Sequence, residues 1–289
     1  KTVRYVELSF VLGNVISLMV CYTNAVFVFT QNNLPLLKGS FYFTEVIDIH
    51  PSYFSMFLIV CLAISLKRFD EIKVSNKLVK GFIQMGFCSF LIASVFFLKS
   101  RAGIISLLLF SLFVLYQFIS KRIKSKSLLF IISITAIFIF GIISVKSNYY
   151  FLDRDIENSF NTRLEIWKAA TDLIGESIIL GYGIGDVRKV LDRQFYINGF
   201  DLGIDLSYNL HNQYIESIIS GGVILCTVLL LTLIALFVRS KGMDNIATFG
   251  FVIALIIGMS FESILVRQHG IVFFNFFYGI YCVNYKRTL

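Results

Sequence analysis

The chain has 289 residues, of which 57% are hydrophobic and only 15% charged, with two prolines and a mean hydropathy of +0.78. A soluble domain usually carries about 25% charge, so disorder, a disulfide scaffold and an ordinary cytosolic enzyme are excluded and a polytopic membrane protein remains. The surplus of bases, 26 Lys+Arg against 18 Asp+Glu, fits the cytoplasmic loops of such a protein better than a nucleic-acid binder.

A bilayer core of about 30 Å takes roughly 20 apolar residues per helix. Eight spans are predicted in chain order, at 5–29, 51–66, 81–98, 103–119, 127–145, 214–238, 245–265 and 270–283. The second and the last are short and are expected to tilt or to borrow flanking residues. Unbroken apolarity favours helices over a barrel, and residues 1–289 read as one all-α membrane domain. No cleavable signal peptide is visible, and the opening on Lys1 rather than Met leads to the expectation of further spans upstream. Cys21, Cys61, Cys88, Cys226 and Cys282 all fall in apolar runs without a CxxC, which predicts inert core thiols and no metal site.

Lys+Arg counts by loop orient the chain. Fifteen fall before the first span, at 67–80, 120–126 and 239–244, and after the last span, against four at 30–50, 99–102 and 266–269. Under the positive-inside rule both ends are cytoplasmic, and the long loop 146–213 is extracytoplasmic. A loop of that length is expected to be functional. Within it, 161–174 predicts an amphipathic helix, with Thr162 and Glu165 in a capping-box pattern and Leu164, Trp167 and Ile174 on the apolar face. Its tryptophan, the only one in the chain, suits a helix resting at the membrane interface.

In this topology His50, His211, His269, Arg101, Arg163, Arg267 and Glu262 gather on the extracytoplasmic side. Ionisable groups near membrane depth are candidates for function; solvated loop charge is the alternative for any one of them. Arg101 begins an outward-facing helix N-terminus, where a guanidinium and free N–H groups would attract an anion. It could equally be a snorkelling anchor. His211 precedes the span at 214–238, where the helix dipole favours neutral imidazole; a histidine that caps or packs is the alternative. G-Y-G-I-G-D at 181–186 lacks the strand–turn–helix context of a nucleotide fingerprint and reads as a flexible turn. D-R-D at 153–155 reads as a solvated charge cluster.

Four patches occur together in a telling order: S-R-A-G at 100–103, N-T-R-L-E-I-W at 161–167 leading to G-Y-G-I-G, L-H-N-Q-Y-I-E-S-I-I-S-G-G at 210–222, and E-S-I-L-V-R-Q-H-G-I-V-F-F at 262–274. With H-P-S-Y-F-S at 50–55, the set resembles the O-antigen ligase and O-antigen polymerase family of membrane glycosyltransferases. The resemblance implies a GT-C-like fold and a metal-independent, inverting transferase without cofactors. Its donor would be an undecaprenyl-diphosphate-linked glycan, handled at the periplasmic face of the bacterial inner membrane. It implies that Arg101 and Arg163 bind the donor diphosphate and that His211 is catalytic, with His50, Glu262 and Arg267 as secondary candidates. The acceptor is left open between lipid A-core, a growing glycan and a protein. Family members have about ten to twelve spans, more than the eight predicted here. The rival readings are a transporter or flippase of lipid-linked saccharide and a non-catalytic assembly subunit. A transporter should show ionisable groups at mid-membrane, and the spans at 81–98, 103–119 and 127–145 contain none.

Overall fold

The computed structural model describes residues 2–32, 40–71, 75–120, 155–239 and 245–283. These residues are helical, with no strand among them. In chain order the helices are α1 Thr2–Asn32, α2 Ser40–Glu45, α3 Pro51–Arg68, α4 Lys77–Phe97, α5 Arg101–Ser120, α6 Asp155–Glu176, α7 Val187–Ile197, α8 Asp201–Asp205, α9 Gln213–Arg239, α10 Ile246–Phe261 and α11 Gln268–Val283. Among the described residues, five helices are long and apolar enough to cross a membrane: α1, α3, α4, α5 and α9. Helices α10 and α11, at 16 residues each, reach about 24 Å at 1.5 Å per residue, short of a bilayer core. The span predicted at 127–145 lies outside the described residues.

The chain divides into two compact units. The first comprises residues 1–110, 235–258 and 265–289, and α3 is its interior helix: Phe54, Met56, Leu58, Ile59, Val60, Cys61 and Ile64 are fully buried. Pro51 occupies the first turn of α3, where its missing N–H leaves nothing to satisfy, and His50 caps that turn, Nδ1 accepting from the free Ser52 N at 3.3 Å. Phe10, Phe57, Phe251, Phe273 and Phe277 pack edge-on and tilted, with centroids 4.7–5.4 Å apart for the closest pairs. At the basic end of α3 the fully buried carboxylate of Glu7, from α1, accepts from Lys67 Nζ at 3.0 Å, Arg68 Nε at 2.7 Å and the Tyr281 hydroxyl at 3.4 Å. A buried charge is tolerable only when it is paired in this way.

The second unit comprises residues 111–234 and 259–264. The long loop is not a structureless connection there. It has its own core of Ile166, Ala169, Ala170 and Leu173 from α6, Val187, Leu191 and Phe195 from α7, and Leu210 and Ile219. Helix α6 corrects two details expected of 161–174. It begins at Asp155, so Thr162 and Glu165 lie inside the helix and form no capping box. Its buried stripe is Ile166, Ala169, Ala170 and Leu173, at the helical spacing of 3, 4 and 7, whereas Leu164 is exposed. Trp167 is half-buried and packs on this core, its Nε1 donating to Leu210 O at 3.1 Å.

Helix α9 is broken. Gly221 and Gly222 leave helical geometry, Gly222 at φ +66° and ψ −168°, a region open essentially to glycine alone. The break orphans backbone groups at both of its lips, and the 178–183 loop satisfies them. Tyr182 N and Gly183 N donate to Ile219 O and Ser220 O, both at 2.8 Å, and Val223 N donates to Ile178 O at 2.9 Å. The chains approach so closely that a Cβ on Gly181 would stand 2.6 Å from Ile219 O, and one on Gly222 would overlap the Ile179 carbonyl. The G-Y-G-I-G sequence is therefore a turn whose backbone clasps a broken helix. Burial, with the Glu176 carboxylate beside it, pushes the Tyr182 hydroxyl up to about 12. That hydroxyl stays a neutral donor to Glu176 Oε2 at 2.8 Å and Leu173 O at 3.2 Å.

Candidate functional site

Around His211 three elements of the second unit converge. The stretch 208–212 approaches α9 as irregular chain, held by side chains from two loop helices: Trp167 of α6 donates to Leu210 O at 3.1 Å, and Arg188 of α7 donates to Tyr208 O at 2.8 Å. Asn209 Oδ1 accepts from His211 N at 3.0 Å, an Asx-turn that sets the next residue. His211 itself is held at φ +47°, the left-handed region that non-glycine residues enter at a cost of about 1–2 kcal/mol and that recurs where geometry serves function.

The histidine is not the cap of α9. Asn212 is, its Oδ1 accepting from Tyr214 N at 2.9 Å and Ile215 N at 3.1 Å. That frees the imidazole for another partner, the carboxylate of Glu262, whose Oε2 stands 3.3 Å from His211 Nδ1. Glu262 is buried and belongs to the turn that follows α10. The same turn is tied on twice more. Asn212 Nδ2 donates to Ser260 O at 3.3 Å, and Ser263 Oγ donates to the buried Glu216 Oε2 at 3.1 Å. Arg163, from α6, lays its guanidinium over the Phe261 ring at 6.0 Å, a cation–π distance. Glu262, 51 residues from His211 by their numbering, thus meets the imidazole, and Arg163 lies over Phe261, the residue before Glu262. In the tautomer that directs Nδ1–H at Glu262, Nε2 is the nitrogen that can accept a proton.

The other predicted residues lie in the first unit. Arg101 is exposed at the first position of α5. Ser100 caps that helix, Oγ accepting from Gly103 N at 3.1 Å and from Ser55 Oγ at 3.1 Å. Gly103 lets α3 come close, since a Cβ there would meet Ser55 Oγ at 2.5 Å. The S-R-A-G motif therefore combines a cap, a cation and a close helix approach. His50 is the cap of α3 and exposed, and Arg267 and His269 are exposed too. Sequence reasoning did not single out Asn212, Glu216, Ser263 or Arg188. For Asn212 a signal existed, an asparagine directly before an apolar helix; for the others only the tertiary contacts reveal the role. Among the described residues no three His, Cys, Asp or Glu side chains cluster as metal ligands. D-R-D at 153–155 begins outside the described residues.

A family profile described as O-antigen ligase matches residues 86–230, a stretch that carries Arg101, Arg163, His211 and the Gly221–Gly222 break. No curated protein matches the chain.

Proposed function

The chain belongs to the O-antigen ligase family of membrane glycosyltransferases, and on that premise we propose that it transfers a glycan from an undecaprenyl-diphosphate carrier to an acceptor hydroxyl at the periplasmic face of the bacterial inner membrane. The observation that carries this reading is the pairing of His211 with Glu262 beside Arg163. An acceptor hydroxyl is a weak nucleophile. In this reading His211 Nε2 takes its proton as the oxygen attacks the anomeric carbon, and Glu262 holds the ring and balances the imidazolium that forms. The bond from that carbon to the diphosphate breaks, the electron pair leaves with the diphosphate, and attack from the opposite face inverts the carbon. Arg163 offers the departing diphosphate a planar, bidentate donor. Arg101 carries the same assignment from its own setting, an exposed guanidinium at a helix N-terminus. No metal enters this chemistry. The acceptor is lipid A-core for a ligase and a growing glycan for a polymerase.

The test is transfer by the purified protein, supplied with undecaprenyl-diphosphate glycan and each acceptor in turn. A positioned base contributes about 10²–10⁴-fold, so His211→Asn should lose turnover on that order. Asparagine suits this replacement because it tolerates a left-handed backbone and the cap of α9 stays with Asn212. Glu262→Gln should lower kcat and leave donor KM nearly unchanged. A fully active His211→Asn enzyme would refute the base.

A further inference from the structure

We propose that the 178–184 loop is seated in the lipid leaflet on its side of the membrane, so that the clasp on the broken helix is also a membrane anchor for the second unit. The loop exposes large apolar side chains: Ile178 is 50% exposed, Ile179 62%, Leu180 73% and Ile184 79%. From Ser177 to Gly185 it carries no charge, and the first charges flanking it are Glu176 and Asp186.

Three observations indicate lipid as the occupant. The first is depth. The part of α9 beyond the break, 223–239, reaches about 26 Å, less than the roughly 30 Å of a bilayer core. Its first turn therefore lies at the edge of the hydrocarbon, and Ile178 O is bonded to Val223 N at 2.9 Å in that turn. The second is continuity, because Val223 and Ile224, which open this part of the span, are exposed apolar residues like those of the loop. The third is the backbone. A loop in contact with hydrocarbon must satisfy its polar groups internally, and this one does so at Ser177, Ile178, Gly181, Tyr182 and Gly183. Gly181 N donates to Ser177 O at 3.1 Å and Ser177 Oγ to Gly181 O at 2.9 Å, while Ile178 O, Tyr182 N and Gly183 N are taken up by the clasp. Apolar side chains outward, on a loop pinned to the span through the clasp, is the arrangement of an interfacial anchor. The inference rests on the chain spanning a membrane and does not depend on the chemistry assigned to His211.

The experiment places single tryptophans at Leu180 and Ile184 in the full chain, reconstituted in vesicles of phosphatidylcholine with or without bromine on the acyl chains. The signal of Trp167 in the unaltered protein is subtracted. Leu231→Trp, exposed on the span, sets the full response, and Lys189→Trp, exposed on α7, sets the aqueous one. Leu180→Trp and Ile184→Trp are expected to be quenched to the level of Leu231→Trp. Quenching no stronger than at Lys189 would overturn the proposal. So would a blue-shifted but unquenched emission, which would mean that protein, for instance a second copy of the chain, covers the loop. Because no turnover is measured, loss of the proposed transferase reading would leave this result intact.

Discussion

Replacing Gly222 by alanine should be far more damaging than its single added carbon suggests. At φ +66° and ψ −168° the backbone occupies a region that costs a side-chain-bearing residue about 1–3 kcal/mol. The new Cβ would overlap the Ile179 carbonyl and stand 2.7 Å from Leu180 N. Both atoms are backbone and cannot rotate away; relief to an ordinary contact means separating the two chains by about 1.5 Å. That movement would break the three clasp hydrogen bonds of 2.8–2.9 Å. Each contributes about 1 kcal/mol net, and more where a partner is left unsatisfied. The sum is about 4–7 kcal/mol, a large share of a typical stability of 5–15 kcal/mol. The assay is a fluorescence melt of the detergent-solubilised protein, in which the midpoint should fall by on the order of 10 °C. Gly185→Ala is the control, because nothing lies within 4 Å of its Cβ position; its effect should stay within about 0.5 kcal/mol. A Gly222→Ala protein that melts together with Gly185→Ala would refute the clasp.

Arg163→Ala and Arg101→Ala should each cost about 2–4 kcal/mol of transition-state stabilisation, a hundredfold or more in transfer rate, and Arg101→Lys should restore only part of it; near wild-type rates in both alanine variants would remove the diphosphate assignment. Transfer should survive EDTA. Loss in chelator with recovery in Mg²⁺ or Mn²⁺ would direct attention to Asp153 and Asp155. An impermeant maleimide should label a cysteine placed at Ser159 and spare one at Ser75, and the reverse pattern would put the site on the wrong leaflet.

The apolar runs made the membrane helices legible, because hydrocarbon thickness dictates both their composition and their length: the expected 51–66 and 103–119 are found as Pro51–Arg68 and Arg101–Ser120. The break in α9 was hidden by the same rule, since Gly221 and Gly222 sit inside an apolar run that reads as one span. The Gly-Gly pair was a usable signal for a kink, but its partner lies about forty residues upstream and no local pattern connects the two. In α6 the expected apolar face chose the large residues Leu164, Trp167 and Ile174. The packed stripe contains Ala169 and Ala170, whose small side chains say nothing about burial until the neighbouring α7 is known. Arg163 and His211 are singled out by residue type and by their order in the family-like patches. Glu262 stands out for its position, and only the contact between 211 and 262 pairs its carboxylate with the imidazole.

The buried Glu7 has a consequence for the order in which the protein is assembled. Helix α1 leaves the ribosome carrying a carboxylate that is fully enclosed in the finished fold, while Lys67 and Arg68 follow some sixty residues later and Tyr281 near the last residues described. Until α3 has been synthesised, that carboxylate can only stay at the water boundary or take up a proton, since an unpaired charge is costly to enclose. The first helix therefore cannot settle finally by itself. Its insertion is completed by a later one, and a nascent chain halted before Lys67 should hold α1 less firmly than one halted after Arg68.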